Sequence, residues 1–470
     1  MATRDGQQAA RPNVVLVLSD QHRYDSIGAH GHPVVRTPAL DRLAAEGLTF
    51  RHAFTPAPVC VPARTSLLHG CWPSRHQCLM NDGLGIPHPD TRGLPSFSRQ
   101  LADAGYWLGH VGKWQVSAGQ PPAAFGFHES NPGGSYGAWR KASGLPPVPH
   151  RNGWFGESDP GIAPEQSRLG WEAGQVVAML GRAAGRGEPF FLRWDTSEPH
   201  LPNVVPEPFA SMYDPAGIPP WPGFEDSLLG KPFIQAQQQR TWRIDGRPWE
   251  DWAPTVARYL GEVSLLDAQV GRVLAALDQL GLAGNTIVVY TADHGDLCGS
   301  HGLIDKHYVM YDDVARVPLL VRWPQRLARP GRTCDAFVIH ALDLAATFCE
   351  VAGAPVPEAF QGSSLLPILQ GASAAERSDA FSMYYGNQFG FYSQRMVRER
   401  RWKYVWNATA EDELYDLETD PGELRNRIGD PGCREVVRGL RRRLVEWMQA
   451  SGDQQLNEWI RDQLLNDLKP

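Results

Sequence analysis

Val14-Val-Leu-Val-Leu18 is an unbroken apolar run, and it stops at Ser19-Asp20-Gln21. Consecutive apolar residues suit a strand covered on both faces, as in the centre of a parallel sheet. The polar residues come at the carboxyl end of that strand, where α/β sheets place their ligands. Thr37-Pro38 then opens a helix over Ala39–Glu46, with Thr37 as cap and Gly47 as its close. The pattern repeats down the chain. A helix around Phe97–Ala104 precedes a strand at Tyr106–Val111, and Trp171–Leu180 precedes Phe190–Trp194. Val256–Leu280 precedes Thr286–Tyr290, and Pro318–Arg322 precedes the helix Ala341–Val351. Such alternation predicts an α/β fold with a large, mainly parallel sheet flanked by helices.

The pattern changes near Gln370. Phe381–Tyr385, Met396–Arg398, Trp402–Val405 and Glu413–Asp416 are short and rich in aromatic and β-branched residues, which predicts an antiparallel sheet. Arg434–Met448 has helical periodicity, and Gln454–Leu468 reads as one more helix that could pack on a partner subunit. The expected division is a catalytic α/β domain over 1–370 and a smaller α+β subdomain over 371–470. Pro121–Asp159 and Pro202–Trp252 read as long loops. The tryptophans of the second, Trp221, Trp242, Trp249 and Trp252, either line a pocket or pack the loop onto the body, and packing is favoured for most of them.

Of the 470 residues, 42% are hydrophobic and 21% charged, which excludes a mostly disordered chain. No run approaches the roughly 18 apolar residues of a membrane span. A net charge of -7 gives no basic field for nucleic acid. Met1–Pro12 lacks the apolar core of a secretory signal, and the seven cysteines do not form a disulfide-like spacing. The expectation is a cytoplasmic enzyme with reduced thiols.

Cys60-Val-Pro-Ala-Arg64 carries the chemistry. Pro62 fits the first turn of a helix, so Cys60 stands at the positive end of a helix dipole. Arg64, four residues on, shares its face. Taken alone, the same letters also fit a buried cysteine beside a surface arginine.

This segment, with Leu67-Leu68-His69-Gly70 after it, resembles the signature of the type I sulfatases of the alkaline-phosphatase-like superfamily. Further blocks resemble that family in order along the chain. They are Asp20-Gln21 after the first strand, Gly112-Lys113-Trp114, Glu198-Pro-His200-Leu-Pro202, Thr291-Ala-Asp293-His294-Gly295, Lys306, and Glu413-Leu-Tyr-Asp-Leu417 with Asp420-Pro421. The resemblance implies that Cys60 is converted to formylglycine (3-oxoalanine) by a separate maturation enzyme. It implies one divalent metal held by Asp20, Gln21, Asp293, His294 and the side chain at 60. Carboxylate and amide oxygens favour Ca²⁺, and the His294 nitrogen makes Mn²⁺ the alternative. Lys113, Lys306 and Asn81 would hold the sulfate, His200 or Lys306 would protonate the leaving oxygen, and Arg64 would orient the nucleophile. His301 and His307 have no such support and read as loop residues.

Three positions depart from the commonest sulfatase pattern: Gln21 for aspartate, His294 for asparagine and Gln115 for histidine. The first two, the spacing from Asp293 to Lys306, and Asn81 are similar to the branch of choline sulfatases and phosphonate monoester hydrolases. The expected activity is hydrolysis of a small sulfate monoester. The alternatives are a phosphonate monoester or phosphodiester hydrolase with the same nucleophile, and a non-catalytic binder of sulfate esters. Lys113 favours sulfate over phosphonate. A homo-oligomer is compatible with the sequence; a nucleic-acid or membrane partner is not expected.

Overall fold

The computed structural model describes residues 11–469, apart from 82–86, 117–118, 373–376 and 387. The strands in chain order are β1 Asn13–Ser19, β2 Leu48–Phe54, β3 Trp107–Gly112, β4 Glu129–Pro132, β5 Glu157–Ser158, β6 Phe190–Asp195 and β7 Val204–Val205, then β8 Thr286–Ala292, β9 Leu319–Arg322, β10 Arg332–Ile339, β11 Asp379–Gly386, β12 Tyr392–Glu399, β13 Trp402–Asn407 and β14 Glu413–Asp416. Eight of them form one sheet in the order β10-β2-β9-β8-β1-β6-β3-β4. All its pairings are parallel except those of β9, which runs antiparallel to β2 and β8.

Alternate side chains of the central strands enter two separate cores. Val14, Leu16 and Leu18 pack on one face, and Val15 and Val17 on the other. Helices cover both faces, which is why β1 has no polar residue in its middle. The long helix Trp249–Gln279 and the helix Arg168–Ala184 pack together on one side. Helix α2, Cys60–His69, lies on the other and is buried along its whole length. The C-terminal sheet is a β11-β12-β13-β14 antiparallel meander, and its apolar face joins the same core as β1 and α2.

The structure corrects the sequence reading in several places. β2 and β10 were not anticipated: β2 follows its helix after Gly47 alone, and the first half of β10 is partly exposed. The segment 121–159 holds β4 and a helix at Ser135–Ala142, and 202–252 holds a helix at Phe233–Trp242. Trp221 and Trp252 are buried in packing contacts, and none of the four tryptophans lines the cavity beside Lys113. The tail helix Glu458–Leu465 folds back on Arg434–Ser451 through Leu464 and leaves Trp459 exposed. Among the described residues no helix is long and apolar enough to cross a membrane.

Thr37 does not cap helix α1, Pro38–Glu46, with its side chain. Its hydroxyl instead accepts from the Gly28 amide. The first free amides of α1 go to a distant carboxylate: Ala39 N–H and Leu40 N–H donate to Asp267 at 3.1 and 2.7 Å. Asp267 is almost fully buried on the long helix, so its loss would leave two helix-end donors without an acceptor. Asp267→Ala is expected to lower stability by about 2 kcal/mol in a denaturant titration.

Candidate active site

The register of the sheet assembles the site. Ser19 of β1 pairs with Ala292 of β8, and Gly112 of β3 with Asp195 of β6. The four chain exits therefore lie at one edge. Backbone bonds continue the ladder just past it: Asp293 N–H donates to Ser19 O at 3.1 Å, Lys113 N–H to Asp195 O at 2.7 Å, and Asp20 N–H to Glu198 O at 3.2 Å. Two glycines permit this closeness. A Cβ at Gly112, whose φ is +96°, would stand 2.1 Å from Asp195 O, and one at Gly295 would stand 1.9 Å from Asp313 O.

Cys60 begins α2 with its side chain buried among Asp20, Asn81, Lys113 and His294. Its Sγ lies 3.3 Å from His294 Nε2, 3.7 Å from Asn81 Nδ2, and 3.8 Å from both Asp20 Oδ1 and Lys113 Nζ. Asn81 also caps the helix, because its Oδ1 accepts from Val61 N–H at 3.0 Å. Burial and the Asp20 carboxylate oppose ionisation of the thiol, but Lys113, Lys306 and His294 hold it well below its ordinary range.

Arg64 is not a surface residue; it is wholly buried. Its guanidinium reaches Asp20 at 3.0 Å, Asp293 at 2.8 Å and Asp195 at 3.3 Å, and donates to Lys113 O at 3.2 Å. It clamps three carboxylates, whereas the sequence reading aimed it at Cys60. Asp195 was overlooked there, although it ends an apolar strand just as Asp20 and Asp293 follow theirs. Arg193, two residues back on the same face, holds it from the other side at 2.8 Å.

One ligand atom each from Asp20, Cys60, Asp293 and His294 lies within 4.8 Å of all the others, and all four residues are buried. Burial and the neighbouring Asp20 charge push Asp293 above the ordinary carboxylate value, whereas, against burial, Lys113, His200, Arg64 and His294 hold Asp20 well below it. That donor set suits a divalent cation. Gln21 adjoins this group, its backbone N–H donating to Asp293 Oδ1 at 3.1 Å. Its amide oxygen, expected at the metal, accepts from Lys306 Nζ at 2.8 Å, and its amide nitrogen donates to Asp296 at 2.9 Å.

Lys306 is buried and also touches His200 Nε2 at 2.7 Å and Asp305 at 3.3 Å. Burial opposes its charge, but Asp305 and then Cys60 raise it above the ordinary lysine value. His200 Nδ1 lies 2.6 Å from the Leu201 carbonyl, which can only accept. The imidazole proton therefore sits on Nδ1, and Nε2 accepts from Lys306. Gln115 is exposed, and His301 is a buried structural residue, bonded to Asp226 at 2.6 Å and stacked on Tyr311. His307 bonds to Tyr384 at 3.1 Å and pairs with Asp305 at 3.2 Å.

A helix-mounted thiol, two lysines and a metal-ready carboxylate pair at the carboxyl edge of such a sheet define a hydrolase of the alkaline-phosphatase-like superfamily. The sulfatase family model matches residues 12–354, and a model for the C-terminal part of N-sulphoglucosamine sulphohydrolase matches 299–450. The chain belongs to the sulfatase family. It is 29% identical to an uncharacterised sulfatase, YidJ, of Escherichia coli over 94% of this chain and 88% of that one. It is 26% identical to an arylsulfatase of Clostridium perfringens, covering 94% and 95%. The crystal structure of a phosphonate monoester hydrolase of Agrobacterium radiobacter superposes with a TM-score of 0.82 at 25% identity, covering 94% and 96%.

The clamp on three carboxylates predicts an unusual cost for losing Arg64. Arg64→Ala should destabilise the fold by about 3–5 kcal/mol, because it leaves buried charges unpaired. Arg64→Lys should recover only part of that, since an ammonium cannot match three separated carboxylates. Denaturant midpoints of the two variants test this.

Proposed function

We propose that the protein hydrolyses a sulfate monoester to an alcohol or phenol and sulfate, with formylglycine derived from Cys60 as nucleophile. The carrying observation is the surroundings of Cys60 Sγ, with Lys113, Asn81 and His294 all within 3.8 Å of it. A divalent cation held by Asp20, Asp293, His294 and the side chain at 60, with calcium favoured and manganese the alternative, would polarise the ester and the nucleophilic hydroxyl.

The hydrated aldehyde at position 60 presents two hydroxyls. One attacks sulfur while the alcohol departs on the opposite side, and the second, deprotonated, expels sulfate and restores the aldehyde. Lys113 and Asn81 face the position of the reacting atom and are placed to bind the sulfate oxygens. Lys306 carries the proton beside His200 Nε2, so the two act as one donor toward the leaving oxygen. Arg64 keeps the carboxylate pair apart and ionised. The maturation of Cys60 is assigned to a separate enzyme.

Phosphonate monoesters are the second reading, favoured by the superposition on the phosphonate monoester hydrolase. Lys113, 2.5 Å from Asp20 and 3.8 Å from Sγ, stands at the position where the sequence reading favours sulfate. Parallel assays with 4-nitrophenyl sulfate and an aryl phosphonate separate the two.

Two outcomes are expected. The peptide containing position 60, weighed after digestion of active protein, should carry formylglycine; chelation should abolish activity, and elemental analysis of the untreated protein should find one divalent metal. An unmodified thiol in fully active protein refutes the nucleophile. Lys113→Ala and Lys306→Ala should each lower kcat/KM for an alkyl sulfate by about 10²–10³. The Lys306 variant should lose more on esters with poor leaving groups, and rates within a few-fold of wild type would show that the sulfate pocket lies elsewhere.

A further inference from the structure

A cavity of about 430 Å³ opens beside the site, and Lys113 and His200 both line it. On the sulfatase reading, an ester whose sulfate sits at Cys60 puts its alcohol portion here. The cavity's cations are already committed. Arg140 pairs with Asp159 at 2.8 Å, Arg168 with Glu198 Oε1 at 2.7 Å, and Lys113 with Asp20 at 2.5 Å. Glu262, on the long helix, lines the cavity in no salt bridge among the described residues; the cation whose charge reaches it, Arg168, is already paired with Glu198. The hydrogen bond that its carboxyl receives comes from the neutral amide of Asn203, at 2.6 Å. Glu198, 6% exposed, lines the same cavity and has its second oxygen, Oε2, without a partner.

A buried carboxylate oxygen without a donor is costly, and an acid without a counter-cation is costlier. Burial, and then the Glu198 charge, push Glu262 up to about 8. The same causes, in the same order, push Glu172 behind it up to about 8. The wall is therefore short of one positive hydrogen-bond donor.

We infer that this cavity binds a protonated primary amine carried on the alcohol portion of the sulfate ester, held by Glu262 and the free oxygen of Glu198. The inference rests on the sulfatase reading of the adjoining site. An ammonium with N–H bonds satisfies both acids; a hydroxyl supplies no charge. A quaternary ammonium supplies charge but no donor, and it would need an aromatic cage, for which Tyr136 is the sole phenol or indole among the described lining residues.

The test is sulfate release by the full-length, formylglycine-containing enzyme from ω-aminoalkyl sulfates of roughly two to six carbons, a range that spans the reach of the cavity. The matched ω-hydroxyalkyl and ω-trimethylammonioalkyl sulfates are the comparison series. At the best chain length the amine should exceed both in kcat/KM by about ten- to a hundredfold, the value of a charge-assisted hydrogen bond. Glu262→Gln should bring the amine-to-hydroxyl ratio close to one. In the wild type, alkylammonium ions should inhibit 4-nitrophenyl sulfate hydrolysis competitively where the matching alkanols do not, a readout that needs no folded variant. Turnover of the aryl ester with no amine advantage at any length overturns the proposal and leaves the sulfatase reading intact, and equal rates for amine and trimethylammonium esters also overturn it. No sulfate from any ester, aryl included, sinks the sulfatase reading and the proposal together.

Discussion

Everything at the reactive edge depends on one buried guanidinium. Arg64 holds Asp20, Asp195 and Asp293, which come from the ends of three different strands, within 3.3 Å of its nitrogens. Like charges converging in a dry interior repel strongly, and one delocalised cation with several donors in a fixed plane can serve them together. The same residue sits one turn past Cys60 on α2, so the clamp that gathers the carboxylates is carried by the helix that Cys60 begins. Fold and site share this constraint.

The clamp leaves a graded distribution of charge. Asp195 is held by Arg64 and Arg193 and lies outside the group of potential metal ligands, while Asp20 and Asp293 keep oxygens close to Cys60 and His294. Lysines stand on two sides of that group. Lys113 leaves β3 and touches Asp20, and Lys306 arrives from the loop after β8, braced by Gln21 and Asp305. A pocket built this way favours a negatively charged group before any substrate arrives. Beyond His200 the adjoining cavity is lined by both signs of charge: Arg140 pairs with Asp159 and Arg168 with Glu198, while Glu262 is in no salt bridge among the described residues.

Much of this was legible in the sequence. The apolar runs ending in Asp20 and just before Asp293, the helix-start Cys60 and the spacing to Arg64 are local patterns, and local patterns survive without coordinates. Lys113, His200 and Lys306 became legible only through the blocks around them, since an isolated lysine or histidine looks like any surface residue. Asp195, Asp296 and Glu262 stayed hidden because their partners lie 59 to 275 residues away, and Asp305 because only burial makes its contact with Lys306 matter. The bond from Lys306 to the Gln21 amide oxygen stayed hidden for the same reason: sequence shows which atoms a side chain offers, and tertiary packing decides which neighbours meet them.

The layered α/β architecture, the antiparallel C-terminal meander, the family and the candidate nucleophile were all legible in the chain's own letters. Each rests on periodicity or on residues adjacent in the chain, where hydrophobic patterning and backbone preference act over a few residues. Packing settled that Arg64 clamps carboxylates, that Asp267 rather than Thr37 caps α1, and that Glu262 lines its cavity in no salt bridge among the described residues. Those outcomes depend on the register that brings strand ends together and on the loss of water around them. Charges that would be screened and solvated along an open chain must there find partners, and which partners they find is a property of the packed interior alone.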